Sequence, residues 1–146
     1  MRLICLSFEA AFIPGVVLGL ALGLWTSPVE AQERLSPEQF LDLVEKRTAS
    51  FSTFPDRQPV GTEQFLSRTR TVWARANGTC AYGLVTAEEG QVCFDYDDDP
   101  PGVTHCWVPF LRDARLFVAS TDDLGEVQEV VEISDEPVAC TQAPTS

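Results

Sequence analysis

VWARANGTCAYGLVTAEEGQVCF, residues 72–94, decides how the chain is read. Asn77-Gly78 spells a two-residue hairpin tip, since both residues tolerate the positive φ such a turn needs, and Glu88-Glu89-Gly90 marks a second reversal. Between the turns, apolar side chains recur at alternate positions, the period of a half-buried strand. With Asn77 and Gly78 at the tip, Thr79 faces Ala76 and Tyr82 faces Trp73, and the second turn sets Leu84 opposite Cys93. One face then carries Val72, Ala74, Ala81, Gly83, Val85, Val92, Phe94 and Tyr96 and is expected to be core. The other carries Thr69, Thr71, Trp73, Cys80, Tyr82, Leu84, Cys93, Asp95 and Asp97, aromatic patches beside carboxylates. Gly83 marks a close approach, with the N-terminal helix as the candidate neighbour.

Working outward, short apolar runs between turn signals place strands at 65–76, 79–86, 91–97, 104–110, 115–120 and 126–134, an antiparallel meander. Upstream, Leu35-Ser36-Pro37-Glu38-Gln39-Phe40 is a helix start: Ser36 caps, Pro37 suits the first turn, Gln39 closes a capping box and Leu35 staples to Phe40. The helix is expected over 36–48, with Phe40, Leu41 and Val44 facing a sheet and Asp42 paired with Lys46. Residues 49–61 read as an ordered loop that tucks Phe51 and Phe54 into the core. The fold expected is α+β, mainly β: one N-terminal helix packed on a six-stranded antiparallel meander or small half-barrel, with two disulfides.

Residues 10–29 carry no charge, follow Arg2, and end at Pro28 and Val29-Glu30-Ala31, the layout of a secretory signal cut after Ala31. The competing reading is an uncleaved inner-membrane anchor, in which Gly15, Gly19 and Gly23 form a helix-packing stripe. Cleavage leaves one domain, 32–146, periplasmic or secreted and off the membrane. It also removes Cys5, leaving Cys80, Cys93, Cys106 and Cys140, and four cysteines in an exported chain favour two disulfides. Three pairings are open. The register puts Cys106 opposite Cys93, which favours Cys93–Cys106 with Cys80–Cys140; closing those loops is worth about 3 and about 4 kcal/mol in the chain-entropy model.

The 146 residues hold 10 Lys and Arg against 22 Asp and Glu, net −12. Residues 32–80 hold seven basic and six acidic side chains, residues 81–146 two and fourteen, so the charge belongs to the meander. Phosphate backbones repel such a surface, which argues against nucleic acid; a basic partner would be steered to it. Asp95-Tyr96-Asp97-Asp98-Asp99 opens like a calcium loop, with Asp95, Asp97 and Asp99 as candidate oxygen ligands, but Pro100 stands where glycine should turn and Cys106 where a bidentate Glu is needed. The C-x-x-C spacings of common zinc sites and the C-x-x-C-H of haem attachment are missing, which leaves calcium as the candidate cofactor. His105, the chain's single histidine, reads as a packed or rim residue beside Trp107. Trp73, Tyr82 and Trp107 are candidate binding anchors on the mixed face. Asn77-Gly78-Thr79 is formally a glycosylation acceptor, though its hairpin role explains the same residues.

The strings WARANGTCAYG, VCFDYDDDP and HCWVPF resemble small exported proteobacterial domains of unassigned function over residues 65–140. The likeness rests on Cys80, Gly83, Cys93, Phe94, Tyr96, Cys106 and Trp107. It implies a disulfide-linked β domain of the envelope and carries over no catalytic residue. The function expected is a non-enzymatic module that binds a basic protein or an envelope component, small protease inhibitors being one concrete form by architectural analogy. The alternative is a small-ligand or calcium-binding domain using the acidic loop 95–99. A carboxylate hydrolase ranks third and needs a pocket that brings two carboxylates together.

Overall fold

The computed structural model describes residues 32–122 and 125–140, so the leader read over residues 1–31 lies outside them. Among the described residues the elements are β1 (Glu33–Arg34), α1 (Pro37–Val44), β2 (Thr48–Thr53), β3 (Pro59–Ser67), β4 (Arg70–Arg75), β5 (Cys80–Glu88), β6 (Gln91–Tyr96), β7 (His105–Arg112), β8 (Arg115–Ser120) and β9 (Val127–Ser134). Each strand from β2 to β9 pairs antiparallel with the next. β2 also pairs with β9, from Thr48↔Ser134 to Thr53↔Gln128. That ladder closes the sheet into an eight-stranded up-and-down barrel, which has no free edge. β1 adds two residues beside β7, opposite Phe110 and Leu111.

The six-stranded meander or half-barrel expected from the sequence is therefore corrected to a closed barrel. The first strand that sequence reading missed is β2, the one that closes it. Its sequence, TASFST, is two-thirds Ser and Thr, residues that favour turns in isolation. In the barrel Ser50 and Thr62 pair hydroxyls across β2 and β3 at 3.3 Å, a sheet use of the same chemistry. The second miss is β3, because the single strand expected over 65–76 is two strands reversing at Arg68-Thr69.

α1 starts as expected. The Ser36 hydroxyl accepts from the Gln39 amide at 3.2 Å and the Gln39 side chain accepts from the Ser36 amide at 2.7 Å. It stops early: Glu45 is the C-cap and Lys46 reverses the chain at φ 59°, which frees Thr48 to begin β2. Asp42 consequently pairs with Arg68 at 2.6 Å rather than with Lys46. An eight-residue helix is marginal alone. It is held here by burying Phe40, Leu41 and Val44 in the barrel, with the Phe40 ring edge-on to Phe65 at 5.9 Å. Of the two loop phenylalanines only Phe51 joins that core; Phe54 packs outside, against Phe117 at 5.2 Å.

The Asn77-Gly78 hairpin exists with a different register. The Arg75 amide donates to the Thr79 carbonyl and Gly78 sits at φ 84°, a three-residue loop that pairs Trp73 with Ala81 rather than with Tyr82. A slip of one residue turns a strand over. Thr71, Trp73 and Arg75 thus face the interior, and Val72 and Ala74 face out. The Glu89-Gly90 turn shifts the next pairing by two, Thr86 opposite Cys93, and leaves the faces of β5 and β6 as expected.

Both favoured disulfides are present. Cys93 and Cys106 are paired residues of β6 and β7, and Cys80–Cys140 ties the chain's return segment to β5. The Val138 amide in that segment donates to the Gln64 side chain at 3.2 Å, across from Val72. This strap covers the outer face of β3 and β4 and explains why outward-facing Val72 is buried. Two disulfides mark an oxidising, exported compartment. Among the described residues no helix is long and apolar enough to cross a membrane.

Candidate functional site: the barrel cavity

An eight-stranded barrel has an interior that side chains can just fill or that can hold one small ligand. Here α1 enters one end, and the half towards the other end is left as a cavity of about 240 Å³. Its floor is Phe40. Its walls are Phe51 of β2, Trp73 of β4, Val92 and Phe94 of β6, Trp107 and Pro109 of β7 and Val118 of β8. Arg75, Asp99 and His105 lie where strands end, at the mouth.

Two glycines let two of these rings lie flat against the wall. A Cβ on Gly61 would stand 2.5 Å from the Trp73 ring, and one on Gly83 would stand 2.9 Å from both the Tyr96 ring and the Thr71 methyl. Gly83 is thus a close approach, as its position in a strand suggests, but to Tyr96 and Thr71 rather than to the helix.

Glu63 is the polar centre of the cavity. It is 2 % exposed, paired in register with Trp73, and lines the cavity from β3. The Tyr96 hydroxyl donates to its Oε2 at 2.7 Å and the Thr71 hydroxyl donates to Oε1. Burial pushes the carboxyl up to about 7, against the opposing pull of the two hydroxyl donors and the charge of Arg75. Burial and the Glu63 charge raise the Tyr96 phenol far above its usual range, so it stays a neutral donor. Two donors leave a carboxylate with lone pairs to spare, because it can accept about four hydrogen bonds.

At the mouth, Arg75 grips Asp98 with two nitrogens, at 2.8 and 3.0 Å, and His105 Nε2 meets Asp99 Oδ2 at 2.8 Å. Tyr96 connects the two layers: its ring stacks on Phe94 at 6.0 Å and lies 6.0 Å from His105.

The sequence-derived candidates separate accordingly. Trp73 and Trp107 come together in the cavity, whereas Tyr82 is on the outer face, where its amide donates to Asp97 Oδ1 at 2.9 Å. The carboxylates of the acidic loop have separate partners: Asp95 accepts from Thr104, Asp97 from Tyr82, and Asp99 meets His105. Among the described residues no three His, Cys, Asp or Glu side chains converge where a metal ion could sit. Sequence reasoning missed Glu63 and Arg75; it set Tyr96 on the core face, where it lies, but not its hydrogen bond to Glu63. A signal existed: Gly61, Glu63 and Phe65 alternate, so a strand begun at Pro59 places Glu63 on the same face as Phe65.

Fold and site together define a closed eight-stranded antiparallel barrel, plugged at one end by a helix and hollow at the other. Compared with known proteins, the chain matches no protein-family model, no curated protein and no solved structure.

Proposed function

We propose that the protein is an exported carrier or sensor that holds one small, largely aromatic molecule inside its barrel. The observation that carries this is the cavity itself: six aromatic rings around one buried, hydrogen-bonded carboxylate, with the chemistry of a pocket that fixes orientation by a few polar groups. An apolar cavity of about 150 Å³ holds benzene, so the volume here suits one ring with a short chain. The expected protein-binding face loses its anchors, because Trp73 and Trp107 point inward. The disulfides, the signal-like leader and the resemblance to exported domains favour the periplasm over secretion to the medium.

The test is ligand-observed NMR with 2-phenylethanol and indole on the disulfide-bonded chain, repeated with Val92→Phe, which fills the cavity. Saturation transfer to the ligands in the native protein and its loss in the folded variant are expected; equal transfer to both would overturn the assignment. A second reading, a carboxylate-pair hydrolase, rests on Glu63 and Asp99 lining the same cavity. Hydrolysis of nitrophenyl glycosides that disappears in both Glu63→Gln and Asp99→Asn would favour it over carriage.

A further inference from the structure

We infer that the cavity selects a small organic cation, an arylalkyl amine whose ammonium group donates to Glu63 while its ring lies among Trp73, Phe94 and Trp107. This rests on the carrier function proposed above and names its ligand class. The first reason is chemical complementarity. Once ionised, Glu63 offers acceptors only, and its two protein donors leave lone pairs for a ligand in the cavity that it lines. A ligand that donates completes this set, and a ligand that merely accepts finds no free donor in the carboxylate. The second reason is the rings. A cation against the faces of Trp and Tyr gains from their quadrupoles, and gains more when desolvated.

The third reason is the field. The titratable and charged groups facing the cavity are Glu63 from β3, Arg75 from β4, Tyr96 from β6, His105 from β7 and Asp99 from the β6–β7 loop. Arg75 is engaged by its two-nitrogen grip on Asp98 and His105 meets Asp99, which leaves the Glu63 carboxylate as the acid without a basic side chain in contact. The loops around the same mouth carry Asp56, Asp97, Asp122 and Glu126 against Arg57. A mouth with an excess of one sign, with low-dielectric walls behind it, concentrates counter-ions of the other sign and speeds their entry.

The ligand set that tests this is isosteric: phenethylamine, 2-phenylethanol and 3-phenylpropionate, titrated calorimetrically into the full disulfide-bonded chain. At pH 8.5 the amine is expected to bind at least about 10-fold more tightly than the alcohol, with the acid weakest, as befits a charge-assisted bond in place of a neutral one. Amine affinity is expected to rise by about 30-fold from pH 5.5 to pH 8.5, as a carboxyl pushed up to about 7 ionises. Glu63→Gln should abolish both the amine preference and the pH dependence. The native pH profile needs no variant and stands if Glu63→Gln fails to fold. If the alcohol binds as well as the amine, the ligand class is wrong and carriage survives. If none of the three binds, both are overturned.

Discussion

At the closed end of the barrel, α1 presses Phe40, Leu41 and Val44 into the strands, and Arg68 locks the helix through Asp42 and Glu45 at 2.6 and 3.6 Å. The turns there carry both signs, Lys46, Arg47, Arg68, Arg112 and Arg115 beside Glu45, Glu88, Glu89 and Asp113. At the open end the interior is a cavity, the buried polar group is an acid, and the rim is mostly Asp and Glu. Packing density supplies stability, and a hollow with a buried acid in its wall subtracts from it. The difference teaches that the two halves are built differently: one end is packed to hold the fold, and the other leaves space around a buried carboxyl.

The comparison breaks first if the closed end proves dispensable. Phe40→Ala is expected to lose about 3–5 kcal/mol in urea unfolding, whereas Trp107→Phe in the open half should cost about 1 kcal/mol while altering ligand binding. Equal losses would mean that the two halves share the load.

Glu63 gives the next largest effect. The folded protein keeps its proton up to about pH 7, whereas the unfolded chain releases it near 4.5, so between those values the folded state binds more protons. The stability it contributes is complete below about pH 4.5 and is lost as pH rises through 7, in total on the order of 3 kcal/mol. Glu63→Gln should therefore remove this slope, so that the variant gains on the native protein from pH 5 to pH 8 in matched denaturation curves. Parallel curves would show that Glu63 is not held protonated by burial.

A smaller effect sharpens the picture of the cavity wall. Gly61→Ala sets a Cβ against the Trp73 ring and should cost about 1–3 kcal/mol. The ring must then move into the cavity, so near-ultraviolet circular dichroism should change and ligand affinity should fall. An unchanged spectrum would place Trp73 away from β3.

Half of this arrangement was legible in the sequence. Ser36, Pro37 and Gln39 announce the helix start because capping chemistry is local. The pairing of Cys93 with Cys106 follows from carrying the alternation of β6 across the loop 98–102 to β7, a step that the shifted β5–β6 register does not touch. What was hidden depends on closure. β2 is written in Ser and Thr, and only pairing on both edges makes it a strand. The face of Trp73 hangs on whether Asn77-Gly78 spans two or three loop residues, a difference too small for local rules. Glu63 then looked like any surface acid, because its burial is produced by strands that the sequence pattern did not delimit.

The most direct measurement is a ¹³C NMR titration of the Glu63 side-chain carboxyl, free and with saturating phenethylamine. The cavity described here predicts a midpoint near 7 in the free protein and a fall of at least about one unit when the cation is bound. A midpoint in the ordinary carboxylate range, unmoved by the amine, would contradict it.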